Sequence, residues 1–314
     1  MLEPRHAGSI ARAFSLGGGA ALNGPPTRGE QGQIWRLTTS RGSFAVKESF
    51  EPLAERELLE EAEYQEAVGA AGVPVPGVLR TVDGRVLADL DDAQVRVYEW
   101  VEMGDVDRTL DPALIGRTVA AIHRVRFPGG RPTHDWYIDP VGAARWDELV
   151  AKLRERRAPF GEDVASYRDE LVALEALLEP PADLQTCHRD LWADNVRSAD
   201  SGGVCVIDWE NCGLADPSQE LAMVLLEFAD GSPSRGRAFH DAYVDAGGPG
   251  RVDRPGHFSM AIAQLGHIGE MACTTWLDPN EPEEERERAV ARAAEFTDLA
   301  LTRTTIHALL DALG

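Results

Sequence analysis

The stretch 185-QTCHRDLWADN-195, followed by 204-VCVIDWEN-211, decides how this chain is read. Each block joins an apolar, strand-like run to carboxylates and an amide. The order is His188-Arg189-Asp190, then Asn195 five residues after the Asp, then Asp208 thirteen residues further on. Between the blocks, 199-ADSGG-203 has the composition of a hairpin turn, so the blocks are expected as two antiparallel strands. Such a hairpin would return Asp208 to the side of Asn195. Phosphoryl transfer from ATP needs this set of groups. One carboxylate orients an attacking hydroxyl, and an amide and a second carboxylate hold magnesium. Asp190 is the candidate base. Asn195 and Asp208 are the candidate metal ligands, since magnesium takes oxygen donors in near-octahedral geometry. An isolated His-x-Asp carries little weight. The fixed spacing to Asn195 and the apolar-apolar-Asp after a hairpin make the pattern specific.

Upstream, the first hundred residues have the texture of a small strand-rich lobe. Residues 33-QIWRLTTSRGSFAVKES-49 read as a β-hairpin about the polar turn 39-TSRG-42, preceded by the Gly-dotted 24-GPPTRGEQG-32. Lys47 alternates on the second strand. A helix is expected over 54-AERELLEEAEYQEAVGAAG-72, with Gly72 as its stop signal. A lysine that bridges nucleotide phosphates needs an acid to hold its long side chain still. Glu57 and Glu61 are four apart and share a helix face; Glu61 is the expected partner, with Glu57 and Glu60 as alternatives. Asp83-Gly84 predicts a turn inside a further hairpin over 73–90, and 95-VRVYEWV-101 a last strand.

Beyond residue 105 helices are predicted near 111–127, 143–157, 163–178, 216–230, 234–246, 256–277 and 282–312. Asp111 and Pro112 mark one start. The acidic run 281-EPEEERER-288 suits the positive end of a helix dipole.

Composition narrows the choices. A chain of 314 residues suggests about two domains. A net charge of −22 disfavours a broad nucleic-acid surface and suits cationic ligands. The four cysteines form no CxxC pair, so neither a zinc site nor a disulfide framework is suggested. No basic start followed by an apolar stretch, and no long apolar run, marks a leader or a membrane span, so a reducing cytoplasm is the expected compartment. No helix carries a sustained heptad seam, and a monomer is expected.

These pieces resemble the aminoglycoside phosphotransferase and choline kinase-like family over roughly 14–275. Phe44-Ala45-Val46-Lys47 looks like its ATP-lysine strand, and 72-GVPVPGVL-79 like the loop after its acid-bearing helix. Residues 115-IGRTVAAIH-123 resemble its helix ending in LxxLH, and 188–195 its catalytic loop. The resemblance implies an α+β, bilobal protein-kinase-like fold. A small β-rich nucleotide lobe would cover 1–101, and a larger, mainly helical lobe carrying catalysis and acceptor binding 102–314. It implies ATP and magnesium as cofactors. Tyr98-Glu99-Trp100 would form the hinge that reads adenine through backbone groups, and Gln31 and Gly32 would contact phosphates. His188, Arg189 and Asp190 would form the catalytic loop. Two departures stand out. The family has Gly where this chain has Arg189, and 216-DPSQELA-222 carries Glu220 where the family has a second Asp. The tract 17-GGGAAL-22 fails GxGxxG at Leu22, which disfavours a Rossmann site.

Family acceptors are hydroxyls of small, frequently cationic molecules: aminoglycosides and other antibiotics, aminosugars, choline. Candidate acceptor contacts are His267, Glu270, Trp276 and Asp278, where an aromatic beside carboxylates could hold an ammonium group. The competing reading is that 258–277 is a packed helix and no more. His123 reads as a satisfied structural histidine. A nucleotide-binding pseudokinase is disfavoured because base, lysine and both metal ligands are present. A protein kinase is disfavoured because helical sequence begins at Pro217, leaving little room for a peptide platform.

Overall fold

A computed structural model describes residues 1–29, 32–90, 93–200, 202–298 and 301–314. These divide into two compact units. The first holds residues 1–107, 125–131 and 192–212; the second holds 108–124, 132–191 and 213–314.

The first unit opens with helix α1 (Ala7–Ala13), followed by strands β1 (Ala21–Arg28), β2 (Gly32–Thr39) and β3 (Gly42–Ser49). Helix α2 (Glu55–Ala70) comes next, then short strands β4 (Val78–Leu79) and β5 (Ala88–Asp89), and β6 (Gln94–Glu99). One antiparallel sheet runs β1-β2-β3-β6-β4, with β5 also on β6. The predicted hairpin is β2–β3, closed at Thr39↔Gly42. Alternation places Leu37, Val46, Val95 and Val97 on one face, fully buried with Ile10 of α1. Strand β1 runs through the Gly-dotted segment, and its register slips between Asn23 and Thr27, where Pro25 and Pro26 cannot donate to the ladder. The hairpin expected over 73–90 does not form. A turn does close at Thr81–Arg85, but β4 and β5 each pair with the longer β6 rather than with each other.

The second unit contributes helices α3 (Pro112–Arg124), α4 (Ala143–Arg156) and α5 (Gly161–Glu175), then strand β7 (Gln185–Cys187). The chain returns to the first unit for β8 (Val196–Ser198) and β9 (Val204–Val206). The second unit resumes with β10 (Gly213–Ala215) and helices α6 (Pro217–Ala229), α7 (Pro233–Asp245), α8 (Ser259–Leu277), α9 (Glu283–Asp298) and α10 (Arg303–Leu313). Its core includes Trp146, Leu149, Leu153, Val164 and Phe296. Helices α3 and α7 pack through Gly116, where a Cβ would sit 2.2 Å from the Phe239 carbonyl oxygen. The single helix expected over 282–312 is two, because Thr302 caps a new start by accepting from the Thr305 N–H. Residues 299 and 300 between them lie outside the described residues. No helix among the described residues is long and apolar enough to cross a membrane.

Candidate active site

The hairpin between the two blocks forms as β8–β9, with Val196↔Val206 and Ser198↔Val204 in register. The strand of the first block is not the expected one. Gln185–Cys187 pairs with β10 instead, since the residues between Cys187 and Val196 are turn and loop. The hairpin does return Asp208 toward Asn195: the Ile207 N–H donates to the Asn195 carbonyl at 2.9 Å. It belongs to the first unit, where the Val206 N–H donates to Pro74 O at 2.9 Å and the Trp209 ring meets Tyr64 of α2 edge-on. Asp208 sits in the left-handed region at φ 58°, an allowed place for Asp at a sharp turn.

Lys47 lies on β3 directly opposite Arg96 on β6. Two cations so placed repel, and the sheet answers with acids from two directions. The Lys47 ammonium donates to Asp208 Oδ1 at 2.7 Å and pairs with Glu210 Oε2 at 2.6 Å. Arg96 pairs with the same Glu210 oxygen at 3.1 Å and with Glu61 Oε1 at 2.7 Å. Arg131 donates to the Glu210 carbonyl. Glu61 therefore holds Arg96, not the expected Lys47, and Lys47 is held by the 208–210 turn. The difference follows from Arg96, a buried cation whose demand for an acid strand periodicity does not reveal. Burial opposes the charge on Lys47, but Asp208 and Glu210 outweigh it and raise its pKa above the ordinary lysine value. Burial also raises the Glu61 pKa, with Arg96 only partly offsetting it.

The nearby expected contacts fare differently. Gln31 lies outside the described residues. Gly32 opens β2 against Ser49, and a Cβ there would fall 2.2 Å from the Glu48 carbonyl oxygen, so sheet packing explains this glycine. Tyr98 pairs with both Ala45 and Val78, and the Glu99 N–H donates to Gly77 O at 2.8 Å. Trp100 carries the Arg36 guanidinium 4.6 Å above its ring.

In the second unit the loop 188–190 is fixed from several sides. Arg189 takes the left-handed conformation at φ 66°, where the resembling family has Gly. This costs about 1 kcal/mol for a residue with a Cβ. The Arg189 N–H donates to Glu220 Oε1 and its carbonyl accepts from Gln264 Nε2 at 2.6 Å. Its guanidinium donates to Pro132 O at 3.1 Å and lies 4.5 Å from the Tyr137 ring centroid. Glu220, wholly buried, meets His123 Nε2 at 2.7 Å, and His123 Nδ1 meets the Tyr243 hydroxyl at 2.8 Å. Burial would raise the Glu220 pKa, but the hydrogen bonds from His123 and the Arg189 N–H, with His188 nearby, together lower it. His123 is the satisfied structural histidine expected. His188 is fully buried and Asp190 half-buried.

Of the acceptor candidates, His267 and Glu270 come together. His267 stacks on Trp136 at 5.2 Å and contacts Asp139 O at 3.1 Å, while Glu270 pairs with Arg145 at 2.6 Å. Trp276 packs edge-on against Phe160, and Asp278 accepts from the Asn280 N–H, a turn contact. Sequence reasoning missed Glu210, Arg96, Arg131 and Trp136. Only Glu210 had a signal, its place two residues after Asp208.

Comparison with known proteins fits this geometry. The family model described as APH, phosphotransferase enzyme family, matches residues 25–261. No curated protein matches the sequence. A spectinomycin phosphotransferase solved with ADP and spectinomycin is similar in structure, with TM-score 0.73 at 12% identity, covering 99% of this chain and 98% of that one. An aminoglycoside phosphotransferase from Alicyclobacillus acidocaldarius gives 0.61 at 16% identity, covering 100% and 96%. A choline/ethanolamine kinase family protein from Mesorhizobium loti gives 0.53 at 18%, covering 98% of each chain. The expected α+β, protein-kinase-like fold is the one these structures share.

Proposed function

Because the chain belongs to the phosphotransferase enzyme family, we propose that it moves the γ-phosphoryl group of ATP to a hydroxyl of a small cationic molecule, an aminoglycoside-like antibiotic or an aminosugar. The observation that carries the reading is the Lys47–Asp208–Glu210 cluster beside Asn195. It joins an ammonium suited to phosphate oxygens to a carboxylate suited to a hard divalent ion, and the main-chain bond from Ile207 ties this turn to the backbone of Asn195, whose side-chain amide would be the second ligand. The donor set fits magnesium: Asp208 and Asn195 offer only oxygen toward a cation. A bound magnesium would neutralise charge on the phosphate oxygens.

Asp190, in the loop that leads into Asn195, accepts the proton of the acceptor hydroxyl. The hydroxyl oxygen bonds to the γ-phosphorus as the bond from that phosphorus to the bridging oxygen breaks, and the nucleoside diphosphate leaves with the electron pair. The contacts of Arg189 support this role by holding the backbone next to Asp190. Lys47 orients phosphate oxygens, and the chain around Tyr98–Trp100 receives the base. His267, stacked on Trp136, and Glu270, which would exchange Arg145 for the ammonium of the acceptor, are the acceptor contacts of choice; Trp276 and Asp278 serve packing and the turn. The net charge of −22 supports a cationic acceptor. Four free, buried cysteines are compatible with a reducing cytoplasm. The alternative is an amino-alcohol acceptor of the choline type, as in the family named for the Mesorhizobium loti protein.

A pair of variants tests the assignment. Asp190→Asn is expected to lose at least about a thousandfold in turnover while nucleotide affinity stays near wild type, since it removes the base and little binding. Asp208→Ala is expected to lose magnesium-dependent nucleotide binding. Normal turnover in Asp190→Asn sinks the mechanism.

A further inference from the structure

We propose that Arg96 is a positioning residue for this reaction: it takes Glu61 for itself and shares Glu210 with Lys47, so the 208–210 turn rather than α2 sets the lysine. The proposal rests on the functional reading of Lys47 and Asp208 given above.

The geometry is a chain of alternating charge within the first unit. It runs Glu61, Arg96, Glu210, Lys47, Asp208, with successive contacts of 2.7, 3.1, 2.6 and 2.7 Å. Arg96 and Glu61 are 5% and 4% exposed, and Lys47 and Glu210 12% and 14%, so four of the five members are screened little by solvent. The order is forced by the sheet. Lys47 and Arg96 are cross-strand partners, and both reach the same oxygen of Glu210. Without that shared acid the two cations would push each other apart. Arg131 fixes the backbone of residue 210, so Glu210 is held at both its main chain and its carboxylate.

Two consequences follow. Lys47 and Asp208 are tied to one turn, so the phosphate-orienting cation and the metal-binding carboxylate move as a unit. Helix α2 reaches them through Arg96. Among the described residues, the second oxygen of Glu61 has no hydrogen-bond partner, and neither has Arg96 Nε. Both residues line a depression with Glu57, Glu210 and Arg131, and Lys47 is not part of its lining. The functional effect of Glu61 should therefore vanish once Arg96 is gone.

The chain makes the test clean, because Lys47 and Lys152 are its only lysines. Lys152 lies on α4, half exposed and paired with Glu148, and serves as the internal reference. Protein carrying lysine labelled with carbon-13 at Cε gives one signal for each. The variants are Arg96→Lys, Arg96→Met, Glu61→Gln and the double Arg96→Met/Glu61→Gln, which strands no buried charge if Arg96→Met alone fails to fold. In the double variant the Lys47 signal should move toward the Lys152 signal without nucleotide present. Turnover should fall at least about tenfold while the KM for ATP changes less than about threefold. Arg96→Lys, which adds a third lysine and is therefore read by turnover alone, should recover most of the turnover. Glu61→Gln alone should lower turnover, with no further loss when added to Arg96→Met, the non-additivity of two groups acting in series.

A Lys47 signal that stays in place overturns the proposal. So does a signal that moves with turnover unchanged, which would make Arg96 structural only. Wild-type protein that transfers no phosphoryl group while the Lys47 signal still moves would overturn the functional reading instead, and the NMR arm separates that failure from a failure of the geometry.

Discussion

Replacing Glu220 probes the anchor of the catalytic loop without any assumption about the acceptor. Its carboxylate is wholly buried and serves two groups, His123 at 2.7 Å and the Arg189 N–H. The hydrogen positions follow from the network. The Tyr243 hydroxyl accepts from the Gly250 N–H at 2.8 Å, so its own hydrogen is free to go to His123 Nδ1, leaving Nε2–H to donate to Glu220. Glu220→Ala strands a ring N–H and a backbone N–H in the interior, at about 1–3 kcal/mol each. Together with the void, about 3–5 kcal/mol is expected, close to the loss on removing one partner of a buried pair. In a chain of 314 residues, with an unfolding entropy of about 2.1 cal/mol/K per residue, that lowers the melting temperature by about 5–8 °C. Glu220→Gln behaves differently. Its oxygen can still accept from Arg189, and its NH2 can donate to Nε2 if His123 shifts its proton to Nδ1. The Tyr243 hydrogen then loses its acceptor, so about 1 kcal/mol is lost. Thermal unfolding followed by circular dichroism at pH 7 measures both. Equal, large losses in Ala and Gln would refute the hydrogen-bond reasoning and point to the charge itself. No loss in Ala would refute the anchor.

Further outcomes follow from the same contacts. The Glu220 pKa is lowered in the folded chain, so its stabilisation is full above the ordinary glutamate value and fades as pH falls through the lowered one. The gap in melting temperature between wild type and Glu220→Gln should therefore narrow as pH falls below the ordinary glutamate value of about 4.3 and close only below the lowered one. Gly116→Ala places a Cβ 2.2 Å from the Phe239 carbonyl and should cost at least about 1–3 kcal/mol, read by urea unfolding. Arg189→Gly relieves about 1 kcal/mol of backbone strain but loses the Tyr137 and Pro132 contacts. It should leave stability within about 1 kcal/mol of wild type while lowering turnover.

Much of this architecture is legible in the amino-acid sequence. The β2–β3 hairpin, α2 and most later helices follow from periodicity and stop signals, because each buries one face of a regular element. The β8–β9 hairpin and the return of Asp208 toward Asn195 are legible for the same local reason, though Ser201 in the connecting segment lies outside the described residues. The pairing of β7 with β10 is not, since three-residue strands carry no period and the β8–β9 hairpin separates the two in sequence. Nor is the partner of Lys47. Glu61 stands on the expected helix face, but Arg96, across the sheet, claims it, and a cross-strand neighbour forty-nine residues away leaves no mark in local pattern. Glu270 reads as a free acid for an ammonium group; Arg145, on another helix, already holds it.

The most direct measurement is ADP release from Mg-ATP against a panel of aminoglycosides, other antibiotics, aminosugars and choline-like alcohols, with Asp190→Asn alongside. Acceptor-dependent ADP release by the wild type, lost in Asp190→Asn, is the expected result. Acceptor-dependent release that persists undiminished in Asp190→Asn would contradict it.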